Sequence, residues 1–169
     1  MARSISCAVL LLLAAADAQA VEFGAGFRLG DPSGLTGKVF LTREHAIQFG
    51  VGFHPGYPGH GDPAYLPGPV LTIDWVYLIK RFGPASRKVW FGIHLGAGCA
   101  LDFVAGDCYH DLLGKRACGT GILARMPVGL GLYIAKVRLE IFVEVVPAVR
   151  LLPSLAPALY LSGGARYFF

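Results

Sequence analysis

Charged side chains are scarce in this chain of 169 residues: 15% are Asp, Glu, Lys or Arg, where a soluble domain carries about 25%. The few bases are spread singly along the sequence. Nothing resembles the clustered patch that grips a phosphate backbone, and no nucleic-acid partner is expected. Long apolar runs are missing as well. Past residue 20 none approaches the ~20 consecutive apolar positions that a membrane helix needs, although 54% of the chain is hydrophobic. A chain too apolar for water, yet without a spanning helix, is accounted for by membrane strands, which show only every second residue to lipid.

The start is different in kind. MARSISCAVLLLLAAADAQA has one base, Arg3, an apolar run from Ala8 to Ala16, and then Ala18-Gln19-Ala20, the small-x-small form that a signal peptidase cuts. Residues 1–20 are read as a secretory signal, cleaved at Ala18/Ala20, and residues 21–169 as one domain with no linker or composition shift inside it. Cys7 precedes the apolar run, so it does not mark a lipid anchor. Cleavage removes one base and one acid and leaves the net charge at +4.

Apolar and polar residues then alternate, which is strand and not helix periodicity. Eight strands are expected, at 21–30, 35–42, 46–54, 70–81, 88–102, 121–134, 137–150 and 157–169. One parity of each is free of charge, as in Ile73, Trp75, Tyr77 and Ile79 or Ile141, Val143 and Val145. The other holds the charges, including Arg28, Lys38, Asp74, Lys80, Asp102, Arg125, Arg138, Glu140, Glu144, Arg150 and Arg166, interleaved with glycines such as Gly24, Gly26, Gly96, Gly98, Gly129 and Gly131.

Alternation alone does not say which parity faces out. Glycine weakens a strand and needs a reason, and a narrow lumen supplies one: eight strands leave an interior just wide enough for side chains, so long Arg and Glu must be offset by positions with none. The charged parity is therefore placed inside. Arg28, Lys38, Asp74, Arg125, Arg138, Glu140, Glu144 and Arg166 form a lumen network in which bases pair with acids, as burial requires. The connections 31–34, 55–69, 103–120 and 151–156 alternate with the short 43–45, 82–87 and 135–136. That sorting fits long external loops and short periplasmic turns, with both termini periplasmic. Asp31-Pro32-Ser33-Gly34 suits a tight turn with a positive dihedral at Gly34. Pro127 and Pro147 fall inside strands of a wall without edges, and bulges are expected there.

Catalytic chemistry is thinly represented. Ser33, Ser86 and Ser154 fall in turns or loops; Ser162 and His94 both point inward but cannot be placed side by side, so no hydrolase triad assembles. The spacings of His54, His60, Asp62, Asp107, His110 and Asp111 match no zinc or calcium motif. No enzyme activity, metal or cofactor is expected. Cys108 and Cys118 lie close enough in the longest loop to form a disulfide in an oxidising envelope, leaving Cys99 odd. Two other readings stay open: a soluble periplasmic barrel of lipocalin type with the apolar parity inside around an apolar ligand, and a lipid A-modifying enzyme or narrow pore.

The ending, Leu159, Leu161, Gly163, Ala165, Tyr167 and Phe169, resembles the C-terminal signature of bacterial outer-membrane proteins. The resemblance implies that Tyr167 and Phe169 serve as the signal read by the barrel-assembly machinery. In architecture the chain is similar to the OmpA, OmpX and OmpW class: an all-β, eight-stranded antiparallel up-and-down transmembrane barrel. FRLGDPSGLTGKVFLTREHAIQFGVGF (Phe27–Phe53) and RMPVGLGLYI (Arg125–Ile134) resemble a family of small bacterial envelope barrels. That likeness implies fold and location without a mechanism. The partners expected are outer-membrane lipid, the assembly machinery, and an extracellular partner reached through loops 55–69 and 103–120.

Overall fold

The period-two pattern becomes strands throughout the computed structural model, which describes residues 22–54, 68–83, 88–103, 109–110, 116–117, 120–153 and 155–169. The strands are β1 (Phe23–Gly30), β2 (Ser33–Phe40), β3 (His45–Phe53), β4 (Pro69–Phe82), β5 (Val89–Asp102), β6 (Tyr109–His110), β7 (Arg116–Ala117), β8 (Gly121–Arg125), β9 (Val128–Ile134), β10 (Leu139–Leu152) and β11 (Ala156–Phe168). β6 and β7 form a short separate ribbon. All the rest join one antiparallel ring, in which β8 and β9 together make the sixth of eight staves. The ring closes where β11 pairs with β1, from Gly24↔Phe168 to Gly30↔Ser162, and the Phe169 amide donates to the Phe23 carbonyl at 2.9 Å. The eight-stranded up-and-down barrel expected from the sequence is the fold found.

The polarity is the reverse of a soluble core. Phe27, Leu29, Leu35, Ile73, Leu130, Val143, Leu159 and Leu161 are exposed on the outer wall, while Arg28, Lys38, Asp74, His94, Glu140, Glu144 and Arg166 have at most 1% of their surface accessible. A soluble barrel enclosing an apolar ligand would need the apolar parity inside; here it faces out.

Three details depart from the sequence reading. First, neither internal proline makes a bulge. Gly98 pairs with Arg125 and Leu95 with Val128, three residues apart on both strands, and β10 keeps one register with β11 across Pro147. Each proline keeps the bond that its carbonyl accepts, from Gly96 at 2.7 Å for Pro127 and from Met126 at 2.9 Å for Pro147, and forgoes the bond its nitrogen would have donated. The stave is interrupted between β8 and β9 without changing register.

Second, the bulges lie elsewhere, between Leu78 and Lys80 and between Arg150 and Leu152. An extra residue reverses parity beyond it. Lys80 therefore pairs with the outward Ile93, and not inside as its spacing predicted. Third, Arg138 is not in the lumen. Residues Ala135–Val137 form a 3-10 turn, and Arg138 closes it in the left-handed region at φ 51°, exposed, so β10 begins at Leu139, two residues later than expected. The first turn has the expected positive dihedral at Gly34 (φ 159°) and a second one at Gly30 (φ 110°). Ser33 Oγ there donates to the Gly30 carbonyl at 2.6 Å and accepts from its amide at 3.1 Å.

Candidate functional site

The lumen is filled in layers, each built from inward positions of several strands. At the end where the termini lie, Phe40, Trp90, Tyr133 and Phe168 form an aromatic plug, with the Trp90 and Tyr133 rings stacked at 3.7 Å between centroids. Inward from it, Lys38 Nζ donates to Glu140 Oε1 and to the Tyr133 hydroxyl, both at 2.7 Å. β10 then presents Glu140, Phe142 and Glu144 in succession. Arg166, opposite Glu140 on β11, lies along them with its guanidinium 3.7 Å from the centre of the Phe142 ring. Its Nη1 donates to Glu140 Oε2 at 3.0 Å, its Nε and Nη2 donate to Thr36 Oγ1 at 3.1 and 3.0 Å, and Nη2 stands 3.9 Å from Glu144 Oε1.

Glu144 is also held from the opposite wall. Gln48 Nε2 donates to both of its oxygens at 2.9 and 3.0 Å, and His94 Nε2 lies 3.1 Å from Oε1. Gly129 leaves the room that His94 needs, since a Cβ there would sit 2.5 Å from Nε2. Further along, Arg125 Nε meets Asp74 Oδ1 at 2.9 Å. Arg28 extends over Gly50 and forms no hydrogen bond among the described residues. An apolar layer of Val70, Ala100, Leu123 and Ala148, with Tyr160 packed against it, separates this cluster from the mouth.

Of the network expected from the sequence, Lys38, Glu140, Glu144 and Arg166 come together in one cluster and Asp74 and Arg125 in a pair, while Arg28 is inside without a hydrogen bond. Thr36, Gln48, His94, Tyr133 and Phe142 were not named for it. They share the inward parity, which was the available signal, but none is an Asp, Glu, Lys or Arg that would have singled it out. Tyr167 and Phe169 lie on the outer wall, ring against ring at 5.2 Å, and Phe169 also stacks on Phe23 at 5.9 Å. Cys99 is a free, outward cysteine. Ala18, Ala20, Cys108 and Cys118 lie outside the described residues.

A second polar cluster closes the opposite mouth. His54, just past β3, donates from Nδ1 to Asp31 Oδ1 and places Nε2 3.5 Å from Asp102 Oδ2. Arg150 Nη2 reaches the same oxygen at 3.4 Å, and Tyr160 stacks on the imidazole. Beneath it remains a cavity of about 10 Å3 touched by His54, Leu123, Arg125 and Tyr160, room for about one water.

Burial opposes charging of His54, but the Asp102 and Asp31 carboxylates outweigh it and raise the imidazole pKa from 6.5 to about 9. A raised folded-state pKa contributes stability that is complete below about 6.5 and lost as pH climbs through about 9. Unfolding midpoints of the native chain and of His54→Gln, followed across that range, should converge as pH rises. A gap that stays constant would refute the ion-paired mouth.

No protein-family model matches the sequence, and no curated protein matches it. In structure, the chain is similar to the N-terminal β-barrel domain of Pseudomonas aeruginosa OprF, with a TM-score of 0.57 over 88% of this chain and 96% of that one, at 16% sequence identity. The two share a fold. In both, then, a single sheet closes on itself; the lumen chemistry above is read from this chain's own residues.

Proposed function

We propose that this chain is a non-catalytic outer-membrane barrel of structural or surface-interaction type. The observation that carries the reading is the inverted polarity: charges balanced inside a closed wall, and an outer wall of large apolar side chains with no solvent-compatible face. Exposed apolar patches beyond a few hundred Å2 mark surfaces that something covers. On the strand walls that something is lipid, against which a charge near the midplane costs about 2–4 kcal/mol. Asp74, His94, Glu140, Glu144 and Arg166 have no accessible surface, which supports a packed scaffold over an open pore.

The finer assignments belong to the same proposal. The leader is cut after Ala20, the termini and short turns face the periplasm, and loops 55–69 and 103–120 face outward as the surface a partner would meet. Phe169, which pairs with and stacks on Phe23, is the end of the strand that the assembly machinery reads before closure.

Fractionation of cells expressing the full chain tests this, with the outer-membrane fraction run boiled and unboiled. The folded barrel is expected in that fraction and to migrate faster unboiled. Deleting Phe169 removes its contacts with Phe23 and should sharply reduce the folded band. A soluble periplasmic product would overturn the reading.

A further inference from the structure

The interior charges balance, five bases (Arg28, Lys38, Arg125, Arg150, Arg166) against five acids (Asp31, Asp74, Asp102, Glu140, Glu144) among the buried described residues. The rim at the end of the termini does not. Among the described residues, Arg43, Lys80, Arg81, Lys88, Lys136 and Arg138 are exposed there, against Glu22 and Glu44. These bases are far apart in sequence, but the wall joins them into one arc. Arg81 Nη2 donates to the Arg43 carbonyl, and the Ala135 amide donates to the Lys88 carbonyl at 2.9 Å. The arc thus runs from the β2–β3 turn, where Glu44 lies within it beside Arg43, across β4 and β5 to the β9–β10 turn, while Glu22 lies at the start of β1.

From this we infer that the basic arc is a binding surface for anionic phospholipid headgroups in the membrane leaflet level with it. The inference rests on the membrane reading above. Lipid is favoured over a soluble polyanion because the arc runs directly into the outer wall. The bulge after Leu78 turns Lys80 onto that wall, opposite Ile93, with Phe82 opposite Phe91. Its ammonium lies over the Phe82 ring at 4.7 Å, beside the exposed pair of Phe82 and Phe91. A lysine on a lipid-facing wall is tolerable only where its head reaches the interface. Girdles of aromatic residues flank the apolar band of a membrane barrel at both interfaces. Lysines at a membrane surface are attracted by anionic lipid, and salt screens that attraction. Without the bulge, Lys80 would enter the lumen and the arc would lose its one member on the wall.

The test uses the full mature chain reconstituted in phosphatidylcholine vesicles and in mixed phosphatidylcholine–phosphatidylglycerol vesicles, with insertion checked by flotation and unfolding read as loss of the fast-migrating band on heating. The midpoint should be several degrees higher in the anionic vesicles, and the difference should vanish in high salt. It should also vanish in K80Q/K88Q/K136Q, three lysines chosen because Arg81 holds the Arg43 carbonyl and Arg138 closes a turn. Equal native midpoints at low salt, or a difference surviving in the triple variant, would overturn the proposal. Protection by soluble polyglutamate but not by anionic vesicles would overturn it in favour of an acidic partner. Failure to float with either vesicle would overturn the membrane reading and this proposal together.

Discussion

Glu140→Ala is expected to cost the barrel about 3–5 kcal/mol, the loss typical of breaking a buried ion pair from one side. Glu140 is fully buried and accepts from two cations, Lys38 on Oε1 at 2.7 Å and Arg166 on Oε2 at 3.0 Å. Truncation removes neither cation from the lumen. Among the described residues, Lys38 then keeps the Tyr133 hydroxyl as its hydrogen-bond acceptor, and Arg166 keeps Thr36, the Phe142 ring and a 3.9 Å approach to Glu144. The penalty is therefore mostly that of stranded charge, not of a lost attraction. It follows that Lys38→Met combined with Glu140→Ala should be less damaging than the sum of the two single changes, because each removes what the other strands. Denaturant unfolding of the four chains in one detergent measures this. Additive losses would show that the pair is solvated in a way the burial of both side chains does not allow.

Gly26→Ala should be nearly as severe, by an unrelated mechanism. Gly26 lies inward on β1, opposite Thr36 on one neighbour and Arg166 on the other, where the buried Arg166–Thr36 bonds cross. A Cβ there would collide with the Ala165 carbonyl oxygen and stand 2.7 Å from Arg166 Cα. Both obstacles are backbone, so no rotamer change relieves them, and overpacking of this kind costs about 1–3 kcal/mol or more. The adjacent Ala25 points to the outer wall, and Ala25→Val should leave stability within about 0.5 kcal/mol. Heating gels on the two variants give the comparison. Similar midpoints for Gly26→Ala and Ala25→Val would mean that the lumen is not packed at Gly26.

The contrast between these neighbours shows what was readable in advance. Successive side chains of a strand point to opposite faces by covalent geometry, so the parity of Ala25 and Gly26, or of Glu140 and Ile141, was visible in the alternation itself. The eight strands and their separation into an apolar and a charged face follow from that local rule. Glycine among long charged residues then argued for the charged face as the inside, since only a narrow lumen needs positions without side chains. Lys38, Asp74, Arg125, Glu140, Glu144 and Arg166 could be named as lumen residues on this basis.

Local periodicity stops where the chain adds a residue or changes conformation. Lys80 follows a bulge and Arg138 closes a 3-10 turn, and both left the interior that their spacing assigned them. Nothing in YLIKRF around the first point, or in YIAKVRL around the second, marks where the alternation will break. Pro127 and Pro147 erred in the other direction: each gives up a single donated bond, and the neighbouring staves hold the register without a bulge.

By itself, the sequence determined that this chain is a one-layer β structure with two chemically opposite faces, because side-chain direction in a strand is set within two residues. Only the tertiary structure decided which charge meets which. Arg166 reaching Thr36, Glu140 and Phe142, Gln48 and His94 converging on Glu144, His54 clasped by Asp31 and Asp102, and six scattered bases gathered on one rim all depend on the stagger with which the sheet closes. That stagger is a property of the whole ring, and no single strand carries it.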